Sequence, residues 1–207
     1  MKKNAALLAL VVVLISACAT MSYQSVLPGV NSLGALQVNA DTGWNLAPAY
    51  ATPRATADSQ TWTKDGLLLD RLILIPAVKD GEALFVSDDP AAALPPFRAN
   101  MLPNEIEEMT ESTIVKLFGE GEAAVSTEKL RPWGFAEHRG VMFDISVTVT
   151  ESPDYRGMVG AFIVEEKLYM IVFLAATPHY YDKHVANAEA LIKGAQIRVP
   201  TVPSAGG

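Results

Sequence analysis

Residues 141–149 alternate between two kinds of side chain: Val141, Phe143, Ile145, Val147 and Val149 are interleaved with Met142, Asp144, Ser146 and Thr148. A period of two is the signature of a strand with one buried face and one wet or lightly covered face. Ser152-Pro153-Asp154 turns the chain, and two further strands are predicted over 155–164 and 167–175, joined tightly around Glu165-Glu166. Leu168 to Leu174 is apolar on both faces, which requires layers above and below the sheet. Thr177-Pro178 then opens a helix whose stripe is Tyr181, Val185, Ala188 and Ile192, and Gly194 ends it.

The pattern is weaker upstream. Residues 19–40 carry one polar-apolar mixture without a single charge, broken by Pro28-Gly29 and by Ser32 to Gly34. They read as a tether (18–35) leading to a first strand near Leu36–Asn39. After a Pro- and Ala-rich loop (47–59), Asp65-Gly66 marks a hairpin, because glycine tolerates the positive φ of such turns. The returning strand is predicted over Leu68–Ile75, stopped by Pro76, with Asp80-Gly81 turning the chain before Ala83–Val86. A breaker-rich connection (88–96) follows. A helix then starts at Asn104 as N-cap, with Glu107 three places on. It carries Ile106, Met109, Thr113, Ile114 and Leu117 on one face and stops at Gly119. Strands, helix, strands, helix, with no internal repeat, define one α+β domain (36–199). Its mainly antiparallel sheet is flanked by helices, and residues 200–207 form a Pro/Ser/Gly tail.

The first twenty residues change the picture from fold to location. Lys2-Lys3, the 13-residue apolar run Ala5–Ala17 and small residues before Cys18 form a secretory signal. The run is well short of the ~20 residues a spanning helix needs, which disfavours a permanent transmembrane anchor. Ile15-Ser16-Ala17-Cys18 resembles a bacterial lipobox. The resemblance implies cleavage between Ala17 and Cys18, with acylation of the Cys18 thiol and of the freed amine. The rival is an ordinary signal beside an incidental cysteine. One chain binds a bilayer only marginally, whereas several hold firmly. Ala19, where inner-membrane retention in enterobacterial lipoproteins takes Asp, resembles the outer-membrane class and implies a lipid-anchored domain facing the periplasm. Cys18 is the sole cysteine, so no disulfide is expected in the domain.

Removing residues 1–17 leaves 190 residues with 14 basic against 23 acidic side chains, a net charge of −9. That sign disfavours nucleic acid and anionic headgroups as partners. The element order, Trp44-Asn45, the Trp62-Thr63-Lys64-Asp65-Gly66 hairpin and the closing helix after a Tyr-bearing strand together resemble the PsbP/DcrB-like α/β/α sandwiches. The likeness spans residues 36–199. It implies a non-catalytic assembly or docking factor of the envelope, and no family site motif maps onto this chain.

His179 and His184 are five apart and do not share a helical face as an i,i+4 pair would, so they are expected to be surface or helix-start polar residues. Glu137-His138 are adjacent and point apart if extended. Glu107-Glu108 and Glu165-Glu166 suit an exposed helix side and a hairpin tip, and Asp88-Asp89 suits a solvated turn rather than a calcium loop. Gly119-Glu120-Gly121-Glu122-Ala123-Ala124 follows a helix, and its acids would repel a pyrophosphate. No Gly-x-Ser-x-Gly elbow is present. Trp44, Trp62, Trp133, Tyr155, Tyr169, Tyr180 and Tyr181 read as core fillers or as the lining of a groove or interface.

No cofactor, metal or catalytic role is therefore expected. The expected function is an envelope lipoprotein bound to the bilayer through acylated Cys18 that docks another envelope protein. The alternative is a periplasmic carrier or sensor of a small apolar ligand held between sheet and helix. A closed cavity of ~300 Å³ or more beside Trp62 or Trp133 would favour the carrier. An exposed apolar patch over a packed interior would favour docking.

Overall fold

A computed structural model describes residues 22–87, 93–119, 121–150 and 152–198. Ala17 and Cys18, Asp88-Asp89, Glu120 and the 200–207 tail lie outside them. The strands are β1 (Gln24–Val26), β2 (Gly29–Leu33), β3 (Leu36–Ala40), β4 (Trp44–Leu46), β5 (Gln60–Thr63), β6 (Asp70–Val78), β7 (Ala123–Phe135), β8 (His138–Val149), β9 (Tyr155–Val164), β10 (Lys167–Ala176) and β11 (Gln196–Ile197). The helices are α1 (Pro103–Phe118) and α2 (His179–Lys193). Eight strands form one antiparallel sheet in the order β1-β4-β5-β6-β10-β9-β8-β7, and β11-β3-β2 form a small second sheet. The α+β sandwich expected from the sequence is therefore present.

The central strands explain the two-sided layering. Leu72, Leu74, Met142, Met158, Phe162, Ile171 and Phe173 point to a core closed by α2 and the small sheet. Ile75, Phe143, Ile145, Val159, Met170 and Val172 point to a second core closed by α1 and by Leu84, Phe85 and Phe97. Each alternation along β8 to β10 thus feeds a different core, which is why β10 is buried throughout its last nine residues. Glu165 and Glu166 both have positive φ (49° and 60°), the backbone of a two-residue turn that matches strand twist.

Several expected boundaries move. Residues expected as tether form β1 and β2, short polar strands that pair with β4 in the large sheet and with β3 in the small one. Pro76 does not stop β6. A bulge at Pro76-Ala77 opposes Tyr169, Ala77 takes φ 52°, and the strand continues to Val78. The β5–β6 connection is longer than a two-residue turn: β6 starts at Asp70, and Gly66 (φ +119°) sits within a loop over residues 64–69. Helix α1 starts two residues earlier than Asn104 as cap would allow. Pro103 occupies its first turn, and Glu105 Oε2 accepts from the Leu102 N–H at 2.6 Å. Gly119 (φ 99°) ends α1 as expected. β7, unanticipated, is an edge strand broken by a bulge between Glu128 and Arg131, with Lys129 at φ 57°. Edge charge, Pro132 and the bulge all discourage further strand pairing.

Candidate functional site

Beneath α1, between it and the β6–β10 part of the sheet, lies a cavity of about 220 Å³. Its floor is Ile73, Ile75, Val172 and Leu174, and its helical wall is Thr110, Thr113, Ile114 and Leu117. The helix threonines do not make it polar: Thr110 Oγ1 donates to the Ile106 carbonyl (2.8 Å) and Thr113 Oγ1 to that of Met109 (2.7 Å). Such back-bonding spends the hydroxyls inside the helix. The lining runs from fully buried residues to Leu68 (76% exposed) and Leu117 (37% exposed), which places the mouth between the β5–β6 loop and the C-terminal turn of α1. An open, more polar groove along residues 46–61 adjoins it through Thr52, Pro53 and Thr61.

One lining residue carries charge. Arg71 lies on the α1 side of β6, between buried Asp70 and Leu72 of the opposite face. Its Nε is buried without a hydrogen-bond partner. Burial pulls the guanidinium pKa below its ordinary value, with Tyr155 and Asp70 acting in the other direction. Arginine nonetheless stays protonated in proteins, so the charge remains. Among the described residues no carboxylate forms an ion pair with it. The Tyr155 ring centroid is 5.6 Å from its guanidinium carbon, and the Tyr155 hydroxyl donates to the Leu68 carbonyl at 2.9 Å. Asp70, the adjacent acid, is committed elsewhere. Its Oδ1 accepts from Thr63 Oγ1 (3.2 Å) and the Asp65 N–H (2.7 Å), and its Oδ2 from the Lys64 N–H (2.7 Å).

These contacts fold the 64–69 loop onto one carboxylate. A second clasp fixes the loop to α2: Asp65 Oδ2 accepts from Lys183 Nζ at 2.7 Å and from His184 Nε2 at 2.5 Å. His184, expected at the surface, is only 6% exposed, because α2 lays it against this hairpin. Asp65, Asp70 and His184 bring ligand-type atoms within 4.8 Å of one another. Their lone pairs already accept five protein donors, and Lys183 holds the place of a cation, so the cluster works as a structural clasp. The Lys183 ammonium first, then His184, holds the Asp65 carboxyl below the usual carboxylate range. A depressed folded-state pKa adds stability above the unfolded value of ~3.9 and loses it as pH falls through the folded one. Asp65→Asn should therefore melt below the wild type at pH 7, and the two melting temperatures should converge as pH drops under ~4. A constant gap down to pH 2 would contradict the clasp.

The other anticipated groups separate. Trp44 and Trp62 are buried in the core on the α2 side, Trp62 donating to Gln60 Oε1 at 2.8 Å. Tyr169 stacks with Phe162 (5.7 Å), which stacks with Phe135 (4.4 Å). Tyr180, Tyr181 and half-buried Trp133 pack around the same side, Lys193 lying 4.9 Å over Trp133. Tyr155 reaches the cavity residues through Arg71 and Leu68. A carrier pocket beside Trp62 or Trp133 is thus not where the enclosed apolar space lies, and that space is smaller than expected. Neither Arg71 nor the cavity had a sequence signal beyond a charge inside an apolar strand.

Architecture and cavity define an α/β/α sandwich with an internal apolar site under one helix. No family model and no curated protein matches the sequence. The fold is similar to the solution structure of cyanobacterial PsbP (CyanoP) from Synechocystis sp. PCC 6803. The TM-score is 0.56 at 10% identity, over 86% of this chain and 94% of that one. The PsbP-like fold expected from the sequence is therefore present, and at that identity the likeness speaks to fold alone.

Proposed function

We propose that this chain is a lipid-anchored envelope protein whose domain works by binding a small apolar ligand under α1, as a carrier or sensor. The observation that carries this reading is the 220 Å³ apolar cavity with a mouth between Leu68 and Leu117. Its lining holds one ionisable group, Arg71, and no general base or nucleophile pair, an arrangement unsuited to proton transfer, and a volume under the ~300 Å³ of ordinary ligand pockets suits only a small ligand. The lipobox at Ala17-Cys18 supports attachment to the bilayer, with Ala19 supporting the outer membrane. Among the described residues no helix is long and apolar enough to cross a membrane.

Docking of an envelope protein remains the second reading, favoured by exposed Leu68 and Leu117 at one rim. Native mass spectrometry of the protein extracted from membranes separates the two: a co-purifying small apolar molecule supports the carrier, and an empty chain joined to a second protein supports docking. For the anchor, Cys18→Ser should leave the precursor uncleaved and unacylated. Fractionation of that variant as a normally processed lipoprotein would refute the assignment.

A further inference from the structure

We infer that the cavity selects an anionic ligand: a medium-chain fatty carboxylate, its tail against Ile114, Val172 and Leu174 and its head on Arg71. The inference rests on the cavity reading and adds what the ligand's head must be. An apolar chamber alone would favour any hydrocarbon. This one is lined by a guanidinium whose Nε is buried with no acceptor, while among the described residues no carboxylate pairs with it. A half-buried guanidinium with an orphaned N–H and no paired carboxylate is unfavourably placed, and a carboxylate meets a guanidinium fork with two parallel hydrogen bonds.

The alternatives within the protein are accounted for. The oxygens of Asp70 already accept from Thr63, Lys64 and Asp65 on the opposite side of β6. Tyr155 offers a ring face and a neutral hydroxyl oxygen to the guanidinium, its own proton going to Leu68. Asp70 acts on the guanidinium only through space, and Tyr155 is neutral, so no carboxylate fork meets it from within the protein. Size sets the tail. An apolar cavity of ~150 Å³ admits benzene, so by proportion 220 Å³ admits about nine carbons. A two-chain lipid does not fit such a space, whereas a single short acyl chain does.

The test is calorimetric titration of the folded domain at pH 8 with decanoate, decanol and decyltrimethylammonium, each kept monomeric, repeated on Arg71→Gln. Wild type is expected to bind decanoate about tenfold or more tighter than decanol, the scale of one charge-assisted hydrogen bond, and the ammonium weakest. In Arg71→Gln the carboxylate preference should vanish while decanol affinity stays within about threefold, which also reports that the variant is folded. Equal binding of decanoate and decanol to wild type would overturn the anionic selection and leave the cavity reading standing. A preference for decanoate that survives in Arg71→Gln would also overturn it, by placing the head elsewhere. Binding of none of the three would sink the cavity reading and this inference together.

Discussion

Asp70→Ala is expected to lower the stability of the domain by about 3–5 kcal/mol, the scale for removing a buried ion from several donors at once. Asp70 is fully buried, and three donors converge on its two oxygens. The Gly66 N–H in turn donates to Thr63 Oγ1 at 2.9 Å, so the loop from Thr63 to Gly66 is organised through a single side chain. Truncation leaves the Thr63 hydroxyl buried without its acceptor and frees the two backbone N–H groups at once. Thr63→Val, which removes one donor to the carboxylate and the acceptor of the Gly66 N–H but keeps the carboxylate, should cost about 1–2 kcal/mol. Chemical denaturation of both variants checks the ordering. Equal and small losses would show that the loop is held by something other than this carboxylate. The same loop carries Leu67 and Leu68 of the cavity lining, so Asp70→Ala should also speed ligand release.

Gly157→Ala is expected to be at least as damaging, about 3 kcal/mol or more, near the upper end for overpacking a core. Gly157 pairs with Leu174 between two central strands, and a Cβ there would fall inside the van der Waals shell of the Phe173 carbonyl carbon and oxygen. Backbone cannot swing aside as a flexible side chain does, so β9 and β10 would have to separate where the start of β9 pairs the end of β10. At the 2–4 °C per kcal/mol typical of a chain this long, the melting temperature should drop by roughly 10 °C. A change under about 2 °C would mean that the strands spread at little cost, contrary to the packing described.

How much of this was legible in the sequence follows from how local each determinant is. The strands β8, β9 and β10 and both helices announce themselves through periodicity, since each residue's face is set by its neighbours two or three to four positions away. β7 has no such signal: its bulge at Lys129 shifts the alternation midway, and as an edge strand it keeps charged and proline residues that a central strand would exclude. β1 and β2 are short and polar, and their pairing partners decide them. The clasp joins Asp65 to His184 across 119 positions, a relation that no motif spacing encodes. Arg71 was in plain view, yet a charge in an apolar strand reads as an outward-facing residue until α1 is seen covering it. The aromatics left core and groove both open in the sequence, and the structure decides for the core: Trp44 and Trp62 fill it on the α2 side.

The central claim is that an apolar ligand enters beneath α1. The most direct measurement is a set of intermolecular nuclear Overhauser effects between decanol protons and the methyl groups of the folded domain. Cross-peaks to Ile73, Ile114, Val172 and Leu174, all lining the cavity, are the predicted result. Cross-peaks confined to exposed Leu27 and Val30, in and just after the β1–β2 connection and outside the cavity lining, with those four methyls silent at saturating decanol, would contradict it.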